Sequence, residues 1–338
     1  MTKESEIHDW LLELIRSGKL HVGDKLPSEY ELAAQFDVNK STAAKALKRL
    51  AGSVRVERRR GAAGTVLTGL PRPRAIAYRM TVLSGWTFSA RLLRGAHTAA
   101  AARGYVLQYK ENPIPENGCW MELADSGCVG VLFTCSDPPP KEFLLPAVAV
   151  GDDSYRNCVV SDDFHGSLQL GRRLVNLGHR TAAFIQMGAY PQRRRGLEQA
   201  FAEAGCPVGP AYQYEVADER TFNPTQLIAT IRSRQPETTV LLCHSDHMAM
   251  KLIQYLHSRN IDIPQEVSVT GFGNMREYQD LYPVTSVDQY PEELGFIAAN
   301  ALIDLIEGKR EENFAIMQAT AMLPGASIGA APRSVRLP

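Results

Sequence analysis

The chain has 338 residues, which exceeds what one hydrophobic core usually serves and therefore predicts two or more domains. Hydrophobic residues make up 44% of the sequence and charged residues 22%, a composition typical of a globular protein and not of a disordered or fibrous one. No apolar run reaches the roughly 18 to 20 residues that a membrane span requires, and the opening MTKESEIHDW is too charged for a signal peptide. We therefore expect a cytoplasmic protein without a membrane partner.

A formal net charge of zero conceals an uneven distribution of charge along the chain. Residues 1–74 carry 14 Lys and Arg against 9 Asp and Glu, and from Val38 to Arg74 the basic residues number ten while Glu57 is the single acid. A basic segment beside a mildly acidic remainder indicates a polyanionic partner for the N-terminal part alone. The alternative is a solvated basic face that binds nothing.

Neither a metal nor a cofactor is expected. The six cysteines form no C-x-x-C pair, which favours free thiols in a reducing compartment over a metal or redox site. His244 and His247 have an H-x-x-H spacing, yet no third ligand or general base stands near them in the sequence. The cysteines are Cys119, Cys128, Cys135, Cys158, Cys206 and Cys243.

The first fifty residues predict three helices. Apolar residues recur at steps of three and four from Ile7 to Ile15, which marks one buried helix face. A second helix is predicted after Ser28, because Ser28 can cap it and Glu31 follows at the spacing of a capping box. A third is predicted from Asn39 to about Leu50, with small and apolar residues on its inner face.

The outer face of this third helix predicts DNA recognition. Hydroxyl and amide groups near its N-terminus can reach base edges, while its lysines meet phosphates. Two short strands, Val54–Glu57 and Thr65–Thr68, predict a wing, in which Arg58 and Arg60 follow the minor groove or phosphates and Gly61 permits close backbone approach. The outer face carries Lys40, Ser41, Thr42, Lys45, Lys48 and Arg49.

The stretch KLPSEYELAAQFDVNKSTAAKALKRL, followed by VERRRGAAGTV, resembles the GntR-type winged helix-turn-helix over residues 4–68. Tyr30 and Ala44 stand where that family often has arginine, and Ala62-Ala63 alters the wing, so the resemblance defines the binding mode and not the operator sequence. It implies an α+β domain that binds double-stranded operator DNA through Ser28, Glu29, Asn39, Lys40, Ser41, Thr42, Lys45, Arg60 and Gly61.

A stiff connector, Leu70-Pro71-Arg72-Pro73-Arg74, follows the wing and predicts a boundary between domains 1–69 and 75–338. Beyond it, strand-like runs alternate with helical patterns, which is typical of parallel sheets with helices on both faces. The predicted strands are 75–83, 106–110, 130–134, 147–150, 181–186, 213–216, 240–243 and 268–271. The predicted helices are 90–103, 165–177, 192–204, 224–233, 246–259 and 291–307.

Ligands of such sheets bind beyond the carboxyl ends of the strands, which is where several aromatic and polar residues are predicted to lie. Each has an alternative role: Asp246 can cap the helix that begins there, Arg193 can be surface charge, and Phe88 and Phe222 can belong to the core. The candidates are Trp86, Phe88 and Phe222 for flat apolar contact, and Asp152, Arg193, Asp246 and Gln289 for hydrogen bonding.

A second resemblance concerns residues 75–323, where VVSDDFHGSLQLGRRLVNLGHRTAAFI and HSDHMAMKLIQYLHSRNIDIPQEVSVTGF are similar to the effector domain of LacI/GalR-type repressors. It implies a two-lobed α/β fold like that of periplasmic binding proteins, with lobes near 75–160 with 289–318 and 161–288 with 319–338. By position, effector contacts fall on Arg193, Ser245-Asp246, Gln289 and Asp152. Gly271-Phe272-Gly273-Asn274 replaces the usual Gly-Phe-Asp-Asp, so a sugar-binding carboxylate is missing and Asn274 is its candidate replacement.

The two resemblances together predict a homodimeric transcription regulator, a repressor whose operator affinity is controlled by a sugar or sugar-like effector. This combination is similar to that of arabinose-responsive repressors. One alternative is a solute-binding protein without DNA function. Another is an α/β enzyme, against which stand the missing G-x-S-x-G elbow, P-loop and G-x-G-x-x-G after the first strand.

Overall fold

A computed structural model of the chain describes residues 2–59, 64–69, 74–80, 86–111, 118–134, 138–188, 191–206, 208–217, 221–333 and 337. The contacts divide the chain into two compact units, Met1–Arg74, which we call the head, and Ala75–Pro338, which we call the body. None of the helices in these ranges is long and apolar enough to cross a lipid bilayer.

Three helices and a two-stranded sheet make up the head. Helix α1 spans Lys3–Arg16, α2 spans Glu29–Gln35 and α3 spans Lys40–Ser53, while β1 (Arg55–Arg58) pairs antiparallel with β2 (Thr65–Gly69). The predicted capping box is confirmed, because the Ser28 hydroxyl accepts the Glu31 amide and the Glu31 carboxylate accepts the Ser28 amide. Helix α3 has Asn39 as its N-cap and continues past the predicted end at Leu50.

The apolar stripes of the three helices meet in one core. Ile7, Leu32 and Leu50 are fully buried, one from each helix, and Leu67 of β2 closes the cluster. Burying each such side chain is worth about 1.5–3 kcal/mol. The helix-turn-helix is therefore held by local caps and by packing of the periodic apolar positions.

Parallel sheets with flanking helices form the body. The strands are β3 (Arg74–Met80), β4 (Tyr105–Glu111), β5 (Val131–Thr134), β6 (Ala147–Val150), β7 (Asn157–Ser161), β8 (Ala182–Gln186), β9 (Gln213–Glu215), β10 (Val240–Cys243), β11 (Ser268–Thr270), β12 (Ser286–Asp288), β13 (Phe314–Gln318) and β14 (Ala321–Leu323). The helices are α4 (Trp86–Ala102), α5 (Gly118–Asp125), α6 (Asp163–Asn176), α7 (Pro191–Glu203), α8 (Pro224–Arg234), α9 (Asp246–Ser258), α10 (Arg276–Gln279) and α11 (Pro291–Ile306).

The strands assemble into two main sheets. The first has the order β13-β7-β6-β5-β3-β4 and the second the order β11-β10-β8-β9, and the strand pairings described within each are parallel. Strands β12 and β14 form an antiparallel pair. The predicted fold class, an α+β winged helix-turn-helix with a parallel α/β domain, is confirmed.

The sequence prediction missed several elements of the body. Helix α5 and strands β7, β12, β13 and β14 were not predicted, and α4 begins at Trp86 instead of Ala90. The missed strands are short, and each of the four runs beside a partner that is more than 30 residues away in the chain. Their pairing, not their own residue pattern, makes them strands. Part of the first predicted strand, residues 81–83, lies outside the described residues.

The chain passes between the two sheets three times, and these passages determine where side chains meet. It leaves β7 of the first sheet for α6, which packs on α7, and it returns through β12 to α11, which packs on α4. It leaves again from β13 to β14. Helices α4 and α11 cross closely, because a Cβ added at Gly95 would overlap the Glu292 carbonyl. The carboxyl ends of β7 and β12 thus open into the passages.

Candidate DNA-binding surface and effector site

The N-terminus of α3 presents the predicted DNA-facing residues of the head as one hydrogen-bonded group. The Asn39 side-chain oxygen accepts the Thr42 amide at 2.8 Å and both the Ser41 and Thr42 hydroxyls at 2.9 Å. Asn39 therefore caps the helix and orients two hydroxyls beside its exposed first turn. Lys45 lies one turn further along and is exposed.

Lys40, the first residue of α3, contacts the N-terminus of α2. Its ammonium donates to the Tyr30 hydroxyl at 3.0 Å, lies 4.2 Å from the centre of the Tyr30 ring and stands 3.7 Å from a Glu29 carboxylate oxygen. The bond to Tyr30 is the main cause that raises the pKa of Lys40. The structure thus places the predicted residues Glu29 and Lys40 together, and adds Tyr30.

The wing is described only in part. Arg58 ends β1 and is exposed, and the neighbouring Arg59 forms an ion pair with Glu57 at 3.1 Å. Arg60 and Gly61, both predicted DNA contacts, lie outside the described residues. Ser28 is engaged in the α2 cap, so its hydroxyl serves that helix start.

In the body, Arg193 lies at the centre of a polar cluster. Its guanidinium donates to the Asp163 carboxylate at 2.7 Å and to the His244 carbonyl at 2.9 Å, and it stacks 3.9 Å above the Phe272 ring centre. The Arg193 side chain is 15% exposed, so the alternative that it is surface charge is wrong. A planar guanidinium held on an aromatic face is well suited to orient polar ligands.

Gln289 brings a second passage of the chain to the same cluster. Its amide donates to the Ser161 hydroxyl at 2.8 Å and to Asp163 at 3.0 Å. Ser161 ends β7 of the first sheet, whereas Gln289 follows β12. Predicted residues Arg193 and Gln289 therefore meet on Asp163, a residue that the sequence analysis did not name as a contact.

The Asp246 carboxylate is hydrogen-bonded inside the body, and its predicted role as an effector contact stays a prediction. The N-cap of α9 is Ser245, whose hydroxyl accepts the Met248 amide, so the alternative that Asp246 caps this helix is wrong. The Asp246 carboxylate accepts the Ser286 hydroxyl and the Met275 amide, both at 2.6 Å, and the residue is fully buried. Asp246 therefore ties α9 to β12 and to the loop after β11.

Asn274 forms part of another link between segments. Its side-chain amide donates to Asp288 at 2.8 Å, and its carbonyl accepts a bond from Arg91 of α4 at 3.3 Å. Arg91 also lies 3.8 Å from the Asp288 carboxylate. Arg91 and Asp288 were not predicted, because nothing in their local sequence marks them as neighbours of Asn274.

The aromatic and remaining polar candidates are less closely joined to this cluster. Phe222 is buried in the core of the second sheet and lines a cavity of about 390 Å³ beside β9 and α8. Phe88 packs against the core of the first sheet, as its alternative role required. Asp152 is half-buried and accepts the Ser154 amide at 2.8 Å. Trp86 begins α4, and its side chain lies outside the described residues.

Two ionisable groups of the cluster have strongly shifted pKa values. Burial, and then the nearby Arg193 charge, lowers the pKa of His244 to about 3, so its imidazole is neutral at physiological pH. Burial raises the pKa of Asp246 to about 6, partly offset by the bonds from Ser286 and Met275. A neutral imidazole both donates and accepts hydrogen bonds, which suits a hydroxyl-bearing ligand.

The described part of the chain contains no candidate metal site. No group of three or more His, Cys, Asp or Glu there is placed to hold an ion. His247, the second member of the H-x-x-H spacing, bonds through Nδ1 to the Tyr278 hydroxyl. Among the described residues, Cys128, Cys158, Cys206 and Cys243 form no disulfide, and nothing is described of the Cys119 and Cys135 side chains.

Two family models match separate parts of the chain. Residues 3–66 match the bacterial regulatory proteins of the gntR family, and residues 172–328 match the periplasmic binding protein-like domain. The first match covers most of the head. The second covers Arg193, His244, Phe272 and Gln289 together with the second sheet, but it begins after Ser161 and Asp163.

Curated relatives that match most of the chain are named as repressors. The arabinose metabolism transcriptional repressor of Geobacillus stearothermophilus is 24% identical over 334 residues, which cover 90% of each chain. The HTH-type transcriptional repressor PurR of Erwinia tasmaniensis is 26% identical over 265 residues, 72% of this chain and 77% of the relative. A solved LacI family regulator from Enterococcus faecium with bound ribose superposes with a TM-score of 0.65 at 20% identity, over 75% of this chain and 99% of that one.

The chain is thus a bacterial transcription regulator with an N-terminal helix-turn-helix. Its N-terminal part matches the gntR family model, and its second domain matches the periplasmic binding protein-like domain, with a fold similar to that of solved LacI regulators. The family predictions from sequence are confirmed. The alternative of a solute-binding protein is not favoured, since these relatives are repressors, and none of them is named as an enzyme.

Proposed function

We propose that the chain represses transcription by binding operator DNA through the head, and that a sugar or sugar-like effector bound at the Arg193 cluster of the body controls this binding. One observation carries the proposal: Asp163, His244 and Phe272, which follow β7, β10 and β11, lie within hydrogen-bonding or stacking distance of the Arg193 guanidinium, which itself follows β8. Gln289, which follows β12, bonds the same Asp163. Ligands of parallel sheets bind at such carboxyl ends.

The chemistry of the cluster suits a ligand with several hydroxyl groups. Arg193 and Gln289 supply donors, Asp163 supplies acceptors, and the Phe272 ring supplies an apolar floor beneath the guanidinium. Hydroxyls both donate and accept, so each can replace a bond that the protein groups now make with one another. The bound ribose of the Enterococcus faecium regulator supports a sugar-like ligand for this fold.

Two differences from the usual family pattern limit which residues can bind the effector. Gly273 stands where a sugar-gripping carboxylate is usual, and the hydroxyl of Ser245 is used in the α9 cap. Asp246 has both carboxylate oxygens engaged inside the body. Effector recognition therefore falls on Arg193, Asp163 and Gln289, with Asn274 at the edge of the cluster.

Control of DNA binding follows from the three passages between the sheets. Gln289 and Asp163 both lie on passages, so a ligand that bonds them favours one arrangement of the two sheets over another. Couplings of this kind are typically about 1–3 kcal/mol, a change in DNA affinity of some 5- to 150-fold. A ligand with equal affinity for both arrangements changes nothing.

Further parts of the proposal concern assembly and location. Two chains pair through their bodies, which sets two heads on adjacent half-sites of a pseudo-palindrome. The regulator acts in the cytoplasm on double-stranded DNA, by binding alone and without a catalytic step. Sedimentation equilibrium of the full chain should give twice the chain mass of 37.3 kDa; a single-chain mass at micromolar concentration contradicts the pairing.

The effector is tested by a thermal-shift screen of sugars, sugar acids, polyols and nucleosides on the full chain. A ligand that binds the folded state alone raises the melting temperature. The hit is then titrated into Arg193→Ala and into Arg195→Ala, an exposed arginine of the same helix. We expect the shift to vanish in the first variant and to persist in the second. Equal shifts in both variants place the effector elsewhere.

The control of DNA binding is tested with a duplex selected from a random-sequence library by the full chain. Fluorescence anisotropy should show specific binding that the effector weakens. Lys40→Ala and Thr42→Ala should reduce operator affinity without changing effector affinity. If the full chain selects no duplex, or if these variants bind the selected duplex unchanged, the recognition-helix assignment is wrong.

A further inference from the structure

Tyr30 is unusually exposed for an aromatic side chain. It lies in the first turn of α2 and is 69% exposed, and its ring does no packing in the head core. The residues around it at the N-termini of α2 and α3 are those predicted to face DNA. Its exposure therefore calls for a role on the surface of the head.

One contact gives Tyr30 that role. The Lys40 ammonium donates to the Tyr30 hydroxyl at 3.0 Å and lies 4.2 Å from the ring centre, while Glu29 stands 3.7 Å from the same nitrogen. A lysine ammonium is otherwise a point charge on a flexible stem. The Tyr30 hydroxyl and the Glu29 carboxylate both lie beside it, which restricts the positions that the ammonium can take.

The contact has two consequences for DNA recognition. An ammonium has three N–H donors, so after donating to Tyr30 it keeps two for acceptors on DNA. Its charge is already partly compensated by the Glu29 carboxylate, so it gains little from neutralising a phosphate. The Ser41 and Thr42 hydroxyls are turned towards Asn39, which leaves Lys40 as the longest donor of this turn.

We propose that Tyr30 is a positioning residue for operator recognition: with Glu29 it fixes the Lys40 ammonium so that Lys40 donates to a base-edge acceptor instead of sampling phosphates. Guanine O6 and N7 are the acceptors that lysine contacts most often in the major groove. The inference rests on the proposed assignment of α3 as the recognition helix. It assigns sequence selectivity, not general DNA affinity, to Tyr30.

The test uses the full chain with its selected duplex, a scrambled duplex, and titration at several salt concentrations. Tyr30→Phe keeps the ring and removes the hydroxyl, so operator affinity should fall roughly fivefold, the effect of one lost hydrogen bond. Affinity for the scrambled duplex and the slope of log K against log salt should not change. Tyr30→Ala should weaken operator binding further, and circular dichroism should show that both variants fold.

Two lysine variants complete the design. Lys48→Ala removes an exposed lysine of the same helix and should lower the salt slope by about one, as a phosphate contact does. Lys40→Ala should weaken binding to the selected duplex but not to the scrambled one, and it should leave the slope of log K against log salt unchanged. In the Lys40→Ala background, Tyr30→Phe should have no further effect, because the two act as a unit.

The outcomes separate this inference from the proposed function. If Thr42→Ala and Lys48→Ala weaken operator binding while Tyr30→Phe changes nothing, the role of Tyr30 is wrong and the recognition helix stands. If Lys40→Ala weakens both duplexes equally and lowers the slope by about one, Lys40 contacts a phosphate and the inference is overturned. If no variant of α3 affects DNA binding, the proposed function fails with it.

Discussion

The head and the body each hold a cation beside a carboxylate, but in opposite surroundings. The Lys40 and Glu29 side chains in the head are 50% and 30% exposed, whereas Arg193 and Asp163 in the body are 15% and 13% exposed. An exposed pair contributes about 0–1 kcal/mol, while a largely buried polar group that loses its partner costs about 1–3 kcal/mol. We therefore expect the head pair to contribute little to folding stability and the body pair to contribute more.

Substitution of Arg193 is the strongest test of the difference between the two ion pairs. Arg193→Ala leaves Asp163 without its cation but with its bond from Gln289, so the free energy of unfolding should fall by about 1–3 kcal/mol. Urea unfolding of the full chain without effector measures this. Arg195→Ala, on the same helix but exposed, should change it by less than about 0.5 kcal/mol. Equal losses in the free energy of unfolding for the two variants would show that burial of the Arg193–Asp163 pair does not explain its contribution to stability.

The pH dependence of the free energy of unfolding tests the burial of His244 and Asp246 in the body. His244 has a folded pKa of about 3, below its unfolded value of 6.5, so it contributes stability above pH 6.5 that is lost as pH falls towards 3. Asp246 has a folded pKa of about 6, above its unfolded value of 3.8, so it contributes stability below pH 3.8 that is lost as pH rises through 6.

The two contributions oppose each other between pH 4 and 6, so single substitutions should separate them. Asp246→Asn should make stability rise more steeply with pH than in the wild type, and His244→Gln should make it rise less or fall. A pKa difference of one unit corresponds to about 1.4 kcal/mol, so the slopes are measurable by urea unfolding across this range. Parallel pH curves for the three proteins contradict the assigned pKa values.

The smallest effect is expected in the head. Glu29→Gln removes the charge that faces Lys40 but leaves the hydrogen bond to Tyr30, so the free energy of unfolding should change by less than about 1 kcal/mol. Urea unfolding followed by circular dichroism measures it. A fall in the free energy of unfolding as large as that of Arg193→Ala would mean that the Lys40–Glu29 pair is as shielded from water as the Arg193–Asp163 pair.

The same contrast explains how far the sequence predicts the structure. In the head, Ser28 caps a helix three residues from Glu31, and the buried positions recur within single helices, so neighbours in space are neighbours in sequence. Helices, caps and the strand pair of the head could therefore be predicted. The body depends on contacts between distant residues. The strand Phe314–Gln318 pairs with Asn157–Ser161, and neither has a pattern that identifies it alone.

The effector site shows the same limit. Arg193 and Gln289 were predicted by their positions in a family pattern, but their common partner Asp163 was not, because 30 residues separate it from the first and 126 from the second. Asp246 was predicted as a contact, yet its carboxylate is taken by residues 29 and 40 positions away. Residue type and spacing identify polar groups at strand ends, but not which of them bond one another.

The head core has a consequence for how such regulators arise. The buried members of this core that the structure describes lie between Ile7 and Leu67, within the first seventy codons of the gene. Recombination near the codons for Arg74 and Ala75 can therefore exchange the head while leaving the Arg193 cluster of the body unchanged. The same position offers a junction for engineered hybrid sensors, in which an existing ligand response is connected to a new promoter.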